Sequence, residues 1–313
     1  MDEGGKMLKE NLKKIDLQQW TAPALRDDMP HGDMPGDKVA IGEGHIAKAK
    51  LIFPKLIEEL KLLDSEKAVI SVFGGSGVGK SETASLLAYY LSEAGVASYV
   101  MSGDNYPYRI PLYNDAERAS IFRSEGLKAL VKEGLYDKDV QKTLDTLWKD
   151  ETDPDPKKAE EYPWLKVYQE GGRKALKAYL GTEKEQDYEQ VNDIIAKFKE
   201  GKKEVLFKRM GRSEEVRYYD AIDVKDIDVL VIEWTHGGNG ALKGIDIPIL
   251  LNSTPEETRE HRRLRARDGK TDSAFTTMVL EIEQEELFDR AKYAKIIVSK
   301  SGEFMDRSDF EVK

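Results

Sequence analysis

Apolar and polar positions follow two different periods along the chain. The run 68–73, Ala-Val-Ile-Ser-Val-Phe, is continuous, β-branched and aromatic, and predicts a strand buried on both faces. Residues 82–91 carry apolar side chains at helical spacing and stop near Gly95, which predicts a helix. Further strands are predicted at 97–101, 228–233, 247–251 and 295–298, and the segments 204–210 and 215–220 read as a hairpin around Gly211-Arg212-Ser213. Before the first strand, Ile46, Leu51, Ile52, Leu56, Ile57, Leu60 and Leu63 predict a helix with Pro54 as a kink or first-turn residue. Residues 1–40 are polar and broken by Asp27-Asp28-Met29-Pro30 and Met34-Pro35-Gly36-Asp37, leaving room for a short helix around 5–15.

Between 107 and 186 the strand pattern is missing. Helices are expected at 115–131, at 137–148 and from Pro163 to 180, with a break at Asp153-Pro154-Asp155-Pro156. Thr182-Glu183-Lys184-Glu185 has capping-box spacing and is expected to open a helix with Tyr188, Val191, Ile194, Ile195 and Phe198 inward and Gly201 beyond its end. Beyond the fourth main strand lie a basic helix from Pro255 to about Arg267, a break at Asp268-Gly269, and an acidic helix over 273–291. Strands alternating with helices predict an α/β fold with a parallel sheet, interrupted by a helical insertion of about eighty residues of the kind that carries specificity.

Composition narrows the class. The 313 residues suffice for a large core, and with 35% charged residues the surface is polar. A net charge of −10 argues against nucleic acid as the main partner. There is no cysteine, which excludes disulfides and thiolate metal sites. No signal peptide or membrane span is visible, so a cytoplasmic protein with no membrane partner is expected, and assembly into a homo-oligomer stays open.

The chemistry is concentrated where the first strand meets its helix. Gly74-Gly75-Ser76-Gly77-Val78-Gly79-Lys80-Ser81 satisfies G-x-x-x-x-G-K-[ST] between a predicted strand and a predicted helix. Glycines let backbone N–H groups and the helix N-terminus converge on phosphates, with Glu82 next in the helix. Lys80 is expected to reach the β- and γ-phosphates and Ser81 to coordinate magnesium, so ATP and Mg2+ are the expected cofactors. A ligand-free glycine turn is the bland alternative, and the complete motif with correct flanks speaks against it. Asp104, in Ser102-Gly103-Asp104-Asn105-Tyr106, ends the second strand on the ligand side of such a sheet; it is either a base near the γ-phosphate or an ordinary turn residue. Glu233 ends a later strand and is a candidate to hold magnesium or its waters, the alternative being a cap or ion-pair role. Arg262, Arg263, Arg265 and Arg267 surround both faces of one helix, which suits either closure over a moving phosphoryl group or a solvated charged helix. Tyr106, Arg109 and His236 are candidate substrate contacts, offering an aromatic wall, a cation and an imidazole.

The order P-loop, Asp104 in Gly-Asp-Asn-Tyr, Glu233-Trp234-Thr235-His236 and the Arg-rich stretch 260–268 resembles the phosphoribulokinase and uridine kinase family of P-loop kinases. In that family the second segment reads Glu-Gly-(Ile/Leu)-His, so Trp234 stands where Gly is usual. The resemblance covers roughly 66–105 and 186–300. It implies Asp104 as the base for an acceptor hydroxyl, Lys80, Arg263 and Arg267 as charge stabilisers, and a hydroxylated small molecule as substrate. It also divides the chain into an N-terminal extension with a helix packing on the core (1–65), a kinase core (66–105 and 186–313) and the helical insertion (106–185). The Gly-Asp-Asn followed by an arginine is also similar to adenylylsulfate kinase, and a nucleotide-binding regulator that transfers nothing is the alternative outside enzymes. A regulator has no need of a base at Asp104.

Overall fold

The computed structural model describes residues 7–26, 28–265 and 273–310. Its first elements are α1 (Met7–Lys14), α2 (Glu43–Lys61), β1 (Ala68–Gly74), α3 (Lys80–Glu93) and β2 (Ser98–Ser102). Helices α4 (Pro111–Lys132), α5 (Lys138–Lys149), α6 (Lys158–Glu161), α7 (Leu165–Lys177) and α8 (Tyr188–Lys199) follow. The chain continues through β3 (Glu204–Met210), β4 (Arg217–Asp223), β5 (Val229–Glu233) and β6 (Ile247–Leu251), then α9 (Pro255–Arg265), α10 (Ala274–Ala291) and β7 (Ile296–Val298).

Five strands form one parallel sheet in the order β2-β5-β1-β6-β7, and β3 and β4 pair as a separate antiparallel hairpin. All seven residues of β1 are buried, which is why the strand reads as an unbroken apolar run rather than an alternating one. Ile70 and Val72, with Val229, Val231 and Ile249, pack on one face against Phe53 and Leu56 of α2 and Leu86 and Leu87 of α3. Val69, Leu230 and Ile232 pack on the other face with Val191, Ile194 and Phe198 of α8 and Phe207 of the hairpin. Each such aliphatic side chain contributes about 1.5–3 kcal/mol by leaving water. The parallel register pairs Ser102 with Glu233 and Val72 with Glu233, so the ends of β2 and β5 lie beside the end of β1.

Four local expectations change. Pro54 neither starts nor breaks α2 but sits inside it. Phe53, Leu56 and Ile57 around the proline are fully buried, and that burial offsets its missing N–H. The helix expected from Thr182 begins at Tyr188, capped by Asp187, whose carboxylate accepts from Gln190 N at 3.0 Å. The Glu185 side chain that a capping box needs is taken instead by Arg118 Nε at 2.6 Å, Asn114 Nδ2 at 3.0 Å and Gly181 N at 2.7 Å. Strand β4 starts two residues late because Gly211 N donates to Val216 O at 2.7 Å and closes a longer loop. The fourth change is an added turn of helix, α6, within 149–163.

The chain divides into two compact units: Met1–Tyr106 with Asp187–Thr258 and Leu287–Lys313, and Pro107–Gln186 with Arg259–Glu286. The first holds the sheet. The second has its own core, where Phe122 and Tyr168 meet edge-on at 5.4 Å and the buried Asp153 carboxylate accepts from Arg123 and from the Tyr168 hydroxyl.

One packing contact in the first unit has a measurable weight. Trp234 is buried to 1% exposure, lies against Tyr188 with ring centroids 5.2 Å apart, and rests on the bare backbone of Gly103. A methyl group at Gly103 would overlap the indole ring. Gly103→Ala is therefore expected to cost about 1–3 kcal/mol of unfolding free energy by overpacking, read as a lowered midpoint in urea. An unchanged midpoint would mean that the indole can swing away.

Candidate active site

The loop joining β1 to α3 turns by leaving the usual backbone regions. Gly79 has φ 91° and ψ 36°, left-handed values that favour glycine, and a side chain there would also strike the His45 ring. Helix α3 then starts at Lys80, directing its first N–H groups and its positive end at the loop. The Lys80 ammonium donates to Gly75 O at 3.0 Å and so lies over the loop it would serve. Glu82 is buried in the first helical turn.

Across from the loop, the Glu233 carboxylate is buried and accepts two hydroxyls, Ser81 Oγ at 3.1 Å and Ser102 Oγ at 2.5 Å. Burial first, and the negative charge of Asp104 second, push the Glu233 carboxyl up to about 8, against the pull of Ser102, Lys80 and Ser81. Asp104 itself is exposed, in a 3-10 turn over Gly103–Asn105 at the end of β2. Two carboxylates and a serine hydroxyl are hard oxygen donors, and a divalent cation there would favour the ionised Glu233 against the burial and the Asp104 charge that raise it. Among the described residues no group of three or more His, Asp or Glu is arranged for a metal.

Lys80, Ser81, Glu233 and Asp104 are thus brought together in the first unit. Tyr106 must be withdrawn as a substrate wall: it is fully buried, and its hydroxyl accepts from Lys208 N at 3.3 Å, so it belongs to the core beneath the site. His236 is buried edge-on against Trp234 at 5.6 Å, a position that supports the strand-end loop. Arg109, in the second unit, donates to the Tyr179 hydroxyl at 3.2 Å and pairs with Glu117. On α9, Arg263 is exposed and Arg262 is buried. Arg267 and the Asp268-Gly269 break lie outside the described residues.

The N-terminal extension also reaches this site, in ways its sequence did not announce. Gly32 is buried so close to Glu233 that a Cβ would lie 3.1 Å from Glu233 Oε1. Asp33 accepts from Ser102 N at 2.8 Å, Asn105 Nδ2 at 2.9 Å, the Tyr99 hydroxyl at 2.9 Å and Arg209 Nη1 at 2.7 Å. Burial pushes the Asp33 carboxyl up and Arg209 pulls it back; with all four neighbours donating, the ionised form is the one that satisfies both oxygens. Lys48 of α2 is buried 3.5 Å from Val78 O, and burial, with Lys300 nearby, pulls its ammonium down to about 8. In sequence, Gly32-Asp33-Met34-Pro35 is plain turn chemistry; only the buried Arg209, far along the chain, shows what Asp33 is for.

A P-loop between the central strand and its helix, with acids at the ends of the neighbouring parallel strands, defines a nucleotide-binding α/β fold of the P-loop class. No family model matches the sequence. Over 236 residues, 75% of this chain, it is 36% identical to a bifunctional alpha-galactosidase/sucrose kinase from Mediterraneibacter gnavus, of which it spans about a fifth (20%). Among solved structures it is similar to a D-glycerate 3-kinase from Cryptococcus neoformans, with 14% identity, a TM-score of 0.46 and coverage of 85% of this chain and 99% of that one. The P-loop and the strand-end acids stand in the order by which the sequence resembles the phosphoribulokinase and uridine kinase family of P-loop kinases. Among the described residues no helix is long and apolar enough to cross a membrane.

Proposed function

We propose that the protein transfers the γ-phosphate of ATP to a hydroxyl of a small carbohydrate, with sucrose the first acceptor to test. The observation that carries the reading is the joint placement of Ser81, Glu233 and Asp104 around the head of a complete P-loop. The choice of a sugar is supported by the relative that bears the words sucrose kinase, of which this chain matches only a part.

The backbone N–H groups of 74–81 and the Lys80 ammonium would bind the β- and γ-phosphates and hold the γ-phosphorus in line with the incoming oxygen. Ser81 and Glu233 would hold magnesium, which supplies charge neutralisation between those phosphates when bound. Asp104, exposed and already sharing its field with Glu233, would take the proton of the acceptor hydroxyl. Charge on the moving phosphoryl group is assigned to Arg263 and Arg267, because guanidinium forks suit phosphate oxygens. The compartment proposed is the cytoplasm, where ATP is the available donor.

The test is ADP release from Mg·ATP by the purified protein, with sucrose, monosaccharides, nucleosides, glycerate and adenylylsulfate offered in turn. Sucrose-dependent ADP formation and a sugar phosphate of matching mass are expected. Tight Mg·ATP binding with no acceptor-dependent ADP would replace this reading by that of a nucleotide-gated regulator. Turnover on adenylylsulfate alone would move the substrate class to the sulfonucleotides.

A further inference from the structure

The N-terminal extension contributes more to the first unit than a helix packed on the sheet. Its residues 32 and 33 lie at the ends of β2 and β5, where the reacting groups are. Both oxygens of Asp33 are fully used, and they are used differently. Oδ1 accepts from Ser102 N and from Asn105 Nδ2, which bracket Gly103 and Asp104 on either side. Oδ2 accepts from the Tyr99 hydroxyl and from Arg209 Nη1. Asn105 in turn uses its Oδ1 to accept from Met210 N at 2.9 Å, fastening the turn to the hairpin. Arg209 is buried, with its other nitrogens donating to Tyr99 and to Asp220 at 2.8 and 2.9 Å.

We infer that Asp33 is a positioning residue for phosphoryl transfer: it fixes the 3-10 turn that presents Asp104. The inference rests on the kinase reading above. A buried ion pair such as Asp33–Arg209 is weak grounds for stability, because desolvation consumes most of its attraction. Its geometry, by contrast, leaves the turn little freedom: losing either Oδ1 contact frees one end of a three-residue segment whose middle side chain is the base. Gly32 lies in the same arrangement, where a Cβ would come 3.1 Å from Glu233 Oε1 and press it by a few tenths of an ångström.

The experiment compares Asp33→Asn, Asn105→Ala, their double variant and Tyr99→Phe in the full chain. The readouts are steady-state kinetics on the acceptor found above and ATP binding by calorimetry. An amide at 33 keeps one acceptor oxygen, so its NH2 group faces either the turn donors or Tyr99 and Arg209, and the fixed pairing of both oxygens is lost. Misplacement of about 1 Å costs on the order of 10²-fold in rate. Asp33→Asn is expected to lower kcat by about 10–10²-fold while the KM for ATP and its Kd stay within about threefold. Asn105→Ala should act in the same direction, and the double variant should be little worse than the poorer single one, because both remove one constraint. Tyr99→Phe, which spares Oδ1, should stay within about threefold of wild type. Wild-type kcat in folded Asp33→Asn overturns the inference. So does a proportional loss of kcat and ATP affinity, which a merely structural anchor would give. If Asp33→Asn does not fold, Asn105→Ala decides alone: parental kcat in that variant overturns the inference too. A wild-type protein that phosphorylates no acceptor would overturn the kinase reading itself and take this inference with it. The two failures are therefore distinguishable.

Discussion

Lys80→Ala should leave a folded protein that no longer turns over ATP. The Lys80 ammonium already rests on the loop, 3.0 Å from Gly75 O, so its removal takes positive charge from the place where phosphates would gather. Losing one preorganised donor from a site of developing charge costs about 10²–10³-fold in kcat. A P-loop lysine also binds the ground state, so nucleotide affinity should fall with it. The check is twofold: acceptor-dependent ADP release, and the rise in melting temperature on adding Mg·ATP, which should shrink or vanish. Side-chain removal at Lys80 leaves the sheet and α3 untouched, so the melting temperature without nucleotide should barely change. Full turnover and full stabilisation in this variant would show that the loop is an empty turn.

Asp104→Asn should separate binding from chemistry. The side chain is exposed in its 3-10 turn. An amide of the same shape cannot take a proton from the acceptor, and loss of a positioned base typically costs about 10²–10⁴-fold in rate. Mg·ATP affinity should change far less. It could even rise for free protein at neutral pH, because one source of the pressure on Glu233 is gone. Calorimetry and steady-state rates on one preparation decide the matter. Parental turnover would place the base elsewhere and leave Asp104 as a turn residue beside Glu233.

What the sequence disclosed and what it hid follow a physical division. Runs buried on both faces, such as 68–73 and 228–233, announce parallel strands because every position must be apolar. The P-loop announces itself because left-handed glycines and a lysine at fixed spacing serve one local geometry. Features that depend on distant partners stayed hidden. Thr182–Glu185 has the letters of a capping box, but Arg118 claims the buried Glu185. Tyr106 stands next to the candidate base in sequence, yet its ring turns into the core under the hairpin. Trp234 replaces a glycine of the resembling family, and the space for it comes from Gly103 on a neighbouring strand end. Asp33 is the extreme case, since Tyr99, Ser102, Asn105 and Arg209 give it meaning and nothing near it in the chain does.

The sheet order also governs how the molecule can come into being. Ala68 pairs with Val229 and Ile70 with Ile247, so the central strand meets neither neighbour until about 160 more residues have been made. At translation rates of roughly 5–20 residues per second, that is about 8–32 s during which β1 has no lateral partner. Its largely apolar sequence, harmless in the finished sheet, is then a ready template for pairing with another chain. Helices α4 to α7 emerge in that interval and make local contacts that close quickly, since short loops cost little entropy. Newly made protein should therefore depend on chaperones for the sheet while its helical segment condenses unaided, and expression at lower temperature should raise the soluble yield.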